Sequence, residues 1–497
     1  VPPSSAPSRL TARPGLVLLG VIAVLAVWRL GTIAYYDHGM FVDEAQYVDW
    51  ARHPAFGYYS KPPALAWSIA GARAVCGEGA LCVRGAAVLL YSLAAVCLFF
   101  AGRAMFSATV GLAAAVLFLL LPGIGLTGLF ITTDAPLALC TAGAVLCMAQ
   151  ALKTGRWAWW IALGACFGLG MLSKYSFALM IAGFLAYLVL TPARRPLLRD
   201  PRLWASLLLG AALTLPNVLW NAQHGFATVS HTADISGLDE PGLKPLRFLE
   251  FLGQQLVVFG PLTFAALLAL PWLRGGVLKS DSGRMLGILS LTMFGAFAAL
   301  ALLSRTLLNW AYVAFPAAAV LVAAALVQGG YHRWLRWSLI VGVVMIVLGA
   351  HLPTIARIAG VELKRGQDPY SRTMGWRELG SGVSAAWARY PGTRLLGDDR
   401  WVIAEMLYYV RPIPHDAAMW NPSGPVTDHY KLTRDAGALA GTDFLFVTLR
   451  PDIPDVASYF ASAQQVAQLP ITTHRDSTKT YYLYLLRGFK GYANAAH

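Results

Sequence analysis

Apolar residues gather in eleven runs, at roughly 16–36, 83–101, 108–130, 136–152, 157–172, 176–191, 203–221, 250–273, 285–303, 311–328 and 335–356. Crossing ~30 Å of hydrocarbon takes about 20 apolar residues in a helix. Each run therefore reads as a transmembrane helix, with 157–172 and 176–191 the shortest. The first run is longer than the apolar stretch of a leader and no small-residue cleavage pattern follows it, so it reads as an anchor. Beyond residue 356 the pattern changes. Prolines, aspartates and tyrosines become frequent, and β-type runs at Thr393–Leu396, Phe444–Thr448 and Thr480–Leu486 alternate with helical stretches such as Trp401–Val410. The fold class expected is an all-α polytopic membrane domain of about 11 transmembrane helices over residues 1–356, followed by a soluble α/β domain over 357–497.

Composition sharpens this reading. Of 497 residues 57% are hydrophobic and only 13% charged, against about a quarter charged in a soluble domain. Mean hydropathy is +0.56. A water-soluble enzyme, a disordered chain and a nucleic-acid module are thereby excluded as classes.

The net charge of +14 is explained by where it sits. The connectors holding Arg9 and Arg13, Arg103, Lys153 and Arg156, Arg194 to Arg202, Arg274 to Arg284, and Arg333 and Arg336 carry 14 basic groups against two acidic ones. The opposite connectors carry 8 basic and 10 acidic groups. Basic loops stay cytoplasmic during insertion, so the amino terminus is placed inside, loops 37–82 and 222–250 outside, and the carboxy-terminal domain on the external face. Trp157, Trp159, Trp160, Trp334 and Trp337 flank the basic loops as an interfacial belt would. Cys76 and Cys82 both fall in the first external loop, where a disulfide and two unrelated thiols are equally compatible with the spacing.

Candidate chemistry lies on the external side. Val42, Ala45, Val48 and Ala51 mark a short amphipathic helix at the membrane interface, with Asp43 and Glu44 in its first turn. There the two carboxylates either act or merely favour the helix dipole. Tyr58, Tyr59 and Lys61 follow, and Pro62 and Pro63 stiffen the chain next to that ammonium. Asp134 opens a span after Thr132 and Thr133, and Lys174 sits between two short helices. His224, Arg305 and Tyr312 lie at external span ends. Arg29 is the charged side chain deep in a predicted span, near enough to the outside to snorkel. Two carboxylates and two ammonium groups on one membrane face suit a phosphate-bearing lipid as leaving group, with a carboxylate as base on an incoming hydroxyl.

These elements resemble a known family in their order. The Asp43–Glu44 pair, the Tyr58–Pro63 segment, the Thr132–Pro136 turn and the run from Gly168 to Tyr175 are similar to the C-type (GT-C) membrane glycosyltransferases. Within that group they look like the lipid A aminoarabinose transferases and protein O-mannosyltransferase-like enzymes. Trp220–Gly225 and Asp398–Tyr409 resemble bacterial members. The resemblance implies a multi-pass protein of the bacterial inner membrane whose active site and carboxy-terminal domain are periplasmic. It implies inverting transfer of a sugar from a polyprenyl (undecaprenyl) phosphate donor to a lipid A, lipopolysaccharide-type or protein acceptor. Asp43 would be the general base with Glu44 beside it. Lys61 and Lys174 would meet the lipid phosphate, Asp134 would line the cavity, and Tyr58, Tyr59, His224, Arg305 and Tyr312 would contribute to substrate binding.

The chain departs from the aminoarabinose enzymes at Gln46, where those carry Arg, and at Ser60, where they carry Glu. Both changes point away from aminoarabinose as the sugar and from a metal built on position 60. A divalent metal elsewhere is left open, and nucleic acid is not expected as a partner. A transporter or flippase of a glycolipid is the alternative. Against it, the sequence shows no broken-helix pair repeated between two halves and no chain of ionisable groups within the spans.

Overall fold

The computed structural model describes residues 13–36, 39–237 and 242–492. Arg9, Asp37, Asp239 and Glu240, which entered the charge argument, lie outside the described residues. The chain divides into two compact units. One comprises the residues up to Tyr35 together with Lys61–Ala350; the other joins Tyr36–Ser60 to His351–His497. The sequence placed the division after residue 356 and assigned the first external loop whole to the membrane part. In the structure the first half of that loop clusters with the carboxy-terminal residues.

The first unit is helical. Pro14–Tyr36, Ala80–Met105, Asp134–Thr154, Pro201–Gln223, Asp281–Leu303, Trp310–Gln328 and His332–Ile358 are each long and apolar enough to cross a membrane, seven helices among the described residues. Two further pairs are bent and raise the number to nine if each is one span. The remaining runs are shorter helices. The 108–130 run breaks at Pro122 into Ala108–Leu119 and Pro122–Thr127, and Trp157–Ser173 has 17 residues.

The second bend corrects the expectation of one unbroken helix over 250–273, while the first falls at the end of the expected run 176–191. Tyr175–Leu190 turns by 117° into Pro192–Arg199, and Pro245–Val258 turns by 116° into Pro261–Trp272. Pro192 and Pro261 each remove an amide from the helical ladder. Gly260 adds a φ of 84° that only glycine adopts without strain.

Packing within this unit follows residue size. From Phe315 to Leu326 every residue is buried, and seven of these twelve are alanine or proline. Small side chains let neighbouring backbones approach closely, which supplies van der Waals contact where lipid offers no hydrophobic drive. Helices Ala80–Met105 and Ala108–Leu119 meet at Gly102, where a Cβ would lie 2.7 Å from the Gly111 Cα. By contrast the most hydrophobic window of Pro14–Tyr36 is only 22% buried, as a lipid-facing helix requires. Trp160 departs from the expected interfacial belt, since its indole is buried. Cys76 and Cys82 form a disulfide.

In the second unit a five-stranded sheet runs in the order β2-β1-β3-β5-β4. Its strands are β1 Arg394–Gly397, β2 Ala418–Met419, β3 Phe444–Thr448, β4 Phe460–His474 and β5 Ser477–Phe489. β1 pairs in parallel with β2 and β3, while β5 lies antiparallel between β3 and β4. Leu396, Trp420, Phe444, Phe446, Phe460, Leu486 and Phe489 form its core.

Helix Arg400–Tyr409 packs against helix Val42–Arg52. That corrects the interfacial reading of the latter. Val42, Glu44, Ala45, Gln46, Tyr47, Val48, Asp49, Trp50 and Ala51 are all buried, because its polar side chains find partners within the unit rather than in water or headgroups. Asp49 accepts from the Arg434 guanidinium at 3.2 Å, and Arg52 donates to the Leu407 carbonyl at 2.7 Å.

Asp399 caps Arg400–Tyr409 through the amides of Trp401 and Val402. Its neighbour Asp398 is half-buried and accepts from the Thr448 hydroxyl at 2.8 Å. Burial raises the Asp398 carboxyl above its ordinary range. The unfolded chain therefore ionises at lower pH than the folded one, and this group's contribution to stability falls as pH rises from the unfolded value through the folded one. Asp398→Asn is expected to raise the thermal midpoint at neutral pH, with the gain disappearing below about pH 4, where both states hold the proton. Thermal scans of the two proteins across that range test it.

Candidate functional site

In the helical unit a carboxylate, an ammonium and an amide converge. Asp134 is the first residue of its helix and 1% exposed. Its Oδ1 accepts from Lys174 Nζ at 2.9 Å, and its Oδ2 from Asn309 Nδ2 at 2.6 Å. The cap position is Thr133, which makes no side-chain capping bond; the Asp134 carboxylate bonds to the two partners. Lys174 occupies the break between Trp157–Ser173 and the 3₁₀ turn Tyr175–Phe177, in extended conformation.

That turn is itself anchored. The Tyr175 hydroxyl donates to Asn217 Oδ1 at 2.8 Å and accepts from Asn221 Nδ2 at 3.1 Å, while Asn221 Oδ1 accepts from the Thr228 amide. The backbone carrying Lys174 is thus tied to the helix Pro201–Gln223.

Tyr312 is buried on the turn Trp310–Ala314, within electrostatic reach of Asp134 and Tyr91. Its hydroxyl packs where a Cβ on Gly123 would come to 2.5 Å, so position 123 has room only for glycine. Arg29 is buried, not snorkelling. It donates to the Leu119 carbonyl at 3.2 Å, and a Cβ on Gly128 would lie 2.9 Å from its Cζ. The glycine opens the inward path that the sequence reading overlooked.

The other candidates of this unit have contacts of their own. Lys61 is partly buried just before the helix Ala64–Cys76. His224 stacks on Trp220 at 4.1 Å, and its Nδ1 lies 2.7 Å from the Trp220 carbonyl oxygen. Arg305 donates from Nε to the Ile235 carbonyl at 3.0 Å, at the carboxy-terminal end of the helix Ala227–Ser236. That is a capping role, favoured by the helix dipole.

The second unit holds the other carboxylates. Asp43 Oδ1 accepts from Arg400 Nη1 at 2.9 Å, and the same nitrogen donates to Gln46 Oε1 at 2.8 Å. The Asp43 side chain is 41% exposed. Burial opposes the charge on Arg400, yet Asp43 outweighs it and raises the guanidinium above its ordinary range. Glu44 is buried, and its Oε2 accepts from the Phe41 amide at 3.0 Å. This serves the amino terminus of its helix.

Tyr58 stacks on Trp50 with ring centroids 4.4 Å apart. Its hydroxyl donates toward the carbonyls of Trp50 and His53 and accepts from the Ala55 amide. Burial pushes the Tyr58 phenol up to about 12, so it stays protonated at neutral pH. Tyr58→Phe is expected to cost about 1 kcal/mol of stability, the net worth of a hydrogen bond, read as a lower thermal midpoint. A donor KM that rises while stability holds is the result expected of a substrate contact instead. The Tyr59 hydroxyl donates to the Val426 carbonyl at 3.4 Å.

Arg400 and Asn309 are the residues that sequence reasoning missed. Arg400 lies inside the noted Asp398–Tyr409 segment, but one cation among 16 basic groups in that domain carries no local signal. Asn309 carries none at all. Among the described residues no three His, Cys, Asp or Glu side chains gather as metal ligands would.

Comparisons with known proteins agree with this architecture. The family profile described as dolichyl-phosphate-mannose-protein mannosyltransferase matches residues 60–220. The lipid A galacturonosyltransferase RgtD of Rhizobium johnstonii is 29% identical over 429 residues, covering 85% of this chain and 88% of its own. The crystal structure of ArnT from Cupriavidus metallidurans bound to undecaprenyl phosphate matches with a TM-score of 0.61 at 16% identity, covering 96% of this chain and 98% of that one. Its apo form gives 0.61 and 16%, over 94% and 97%. The structural likeness is one of fold, and it extends over nearly the whole chain.

Proposed function

From its resemblance to the C-type membrane glycosyltransferases, we propose that the chain is an inverting glycosyltransferase of the bacterial inner membrane. It moves a sugar from a polyprenyl phosphate of the undecaprenyl class to a lipid A, lipopolysaccharide-type or other periplasmic acceptor. Residues 1–356 form the catalytic membrane domain in this reading, and 357–497 the periplasmic one, with the amino terminus in the cytoplasm.

The observation that carries the reading is the anchored ammonium of Lys174. It spends one of its three donors on Asp134 and keeps two for phosphate oxygens. Asp134 orients it, and Asn309 fixes the carboxylate. Lys61, stiffened by Pro62 and Pro63, is the second phosphate ligand.

Asp43 acts as base. Arg400 holds one oxygen, and the other oxygen takes the proton of the acceptor hydroxyl. The acceptor oxygen bonds to the anomeric carbon as the bond from that carbon to phosphate breaks, so the configuration inverts. The negative charge moves to the phosphate, where fixed ammonium groups stabilise it in a site of low dielectric. Glu44 holds the helix start that presents Asp43, and the family resemblance assigns Tyr58, Tyr59, His224, Arg305 and Tyr312 to substrate binding. RgtD, a lipid A galacturonosyltransferase, supports a lipid A acceptor and an acidic sugar.

The test is transfer of label. Membranes containing the protein are incubated with radiolabelled polyprenyl-phosphate sugars and purified lipid A. Label appearing on lipid A is expected with one class of sugar. Label that crosses the bilayer on its original carrier would instead establish a flippase.

A further inference from the structure

The second unit contains a small recess, with free room for little more than one small polar group, that no step above uses. Its floor is Ile471 and Thr473 of β4 with Ser477, Lys479 and Tyr481 of β5, and its rim carries Arg365, Arg372, Trp376 and Trp401. Gly375 keeps it open. Its φ is 84°, and a Cβ there would lie 2.7 Å from Ile471 and 2.9 Å from Thr473.

Three cations thus converge with three aromatic rings. Among the described residues Arg365, Arg372 and Lys479 form no ion pair; Arg372 lies 6.0 Å from the Trp401 ring and 6.0 Å from that of Phe41. Three acidic groups stand close by: Asp399 within electrostatic reach of Lys479 and Tyr481, Glu405 within reach of Tyr481, and Asp476. Asp399 accepts from the amides of Trp401 and Val402, and Asp476 accepts from the Arg365 amide. Burial, and after it the neighbouring Arg365, lower the Lys479 ammonium below its ordinary range. Crowding like charges beside indole faces is unfavourable unless an anion visits, and aromatic faces suit the apolar side of a sugar ring.

The recess adjoins the residues around Asp43 along the chain. Phe41, whose ring Arg372 approaches, is two residues before Asp43, and Trp401 follows the Arg400 that holds Asp43.

We propose that this recess binds the anionic group of the acceptor glycan, a phosphate or carboxylate carried on a sugar, with Arg365, Arg372 and Lys479 as counter-ions and Trp401 as the ring face. The role as acceptor site rests on the transferase reading; the binding itself does not.

Binding is therefore measured without donor, on the full-length protein in detergent, by ligand-observed NMR. The soluble probes are glucosamine 1-phosphate, galacturonate, glucosamine and inorganic phosphate; the lipid probes are lipid A and its dephosphorylated form. Saturable binding is expected for glucosamine 1-phosphate, galacturonate and lipid A, weakened at least tenfold for all three in the double variant R372Q/K479Q. Each charge-assisted bond supports a loss of that size. Trp401→Leu is expected to weaken the sugar phosphate and spare inorganic phosphate. Unchanged affinity in the correctly melting double variant overturns the site. Equal binding of glucosamine, or of dephosphorylated lipid A, overturns the anionic recognition, and soluble sugars binding while lipid A does not overturns the acceptor role. Loss of label transfer with binding intact would count against the transferase reading alone.

Discussion

Asp43→Asn is expected to slow sugar transfer by about 10²–10⁴-fold, the range supplied by a positioned general base. The amide retains the hydrogen-bonding shape that faces Arg400 and Gln46 but cannot take a proton. Its thermal midpoint should therefore stay close to that of the parent, and the loss should fall on kcat rather than KM. Asp416→Asn is the matched control. Asp416 forms an exposed pair with Arg394 at 3.2 Å in the same unit, and exposed pairs contribute little. Asp49 makes a poor control, because it is 4% exposed and paired with Arg434; neutralising it would strand a guanidinium. Arg400→Gln should lower the rate by less than Asp43→Asn, since it misplaces the base without removing it. A parent-like rate in Asp43→Asn would end its role as base.

The second large effect concerns the helical unit. Asp134→Ala is expected to destabilise the protein by about 3–5 kcal/mol, the cost of removing one partner of a buried ion pair. It strands the Lys174 ammonium and leaves Asn309 without its acceptor. The double variant D134L/K174M replaces both charges with apolar volume and should recover most of that stability. Transfer should remain lost, because the phosphate ligand has gone with the strain. Melting curves beside label transfer separate the two contributions. A double variant that regains both stability and transfer would remove Lys174 from the mechanism.

Much of the helical architecture was legible because burial in lipid writes itself as long apolar runs. Breaks inside those runs were harder to read. Pro122 and the Gly260–Pro261 step sit in stretches whose mean apolarity hides them, and only backbone geometry turns them into corners. In the second unit, β3 and β5 carry the aromatic and β-branched residues that mark strands, and β1 showed as a short apolar run. β4 was missed because most of its residues from Ala461 to Gln465 are exposed and polar, so no alternation betrays it.

Within the candidate site, Asp134 and Lys174 were both nameable as costly polar groups at span ends. Their mutual bond was not, because 40 residues separate them. Arg400 lies 357 positions from Asp43. No local pattern records such a meeting. Arg29 misled for the opposite reason: an outer-end arginine ordinarily reaches for water, and here Gly128 leaves it a way inward.

The insertion of Tyr36–Ser60 into the carboxy-terminal unit bears on biogenesis. These 25 residues leave the ribosome early, yet the remainder of their unit begins only at His351, after the 290 residues from Lys61 to Ala350. During that interval the helix Val42–Arg52 lacks the carboxy-terminal elements of its own unit, and the partners Arg400 and Arg434 of its Asp43 and Asp49 are not yet made. Closing so long a loop is a slow, non-local event, so assembly of this unit belongs to the last stage of synthesis. A carboxy-terminal fragment expressed alone would expose the face of Arg400–Tyr409 that the early segment covers, and supplying that segment in trans as a peptide is the natural means of restoring it.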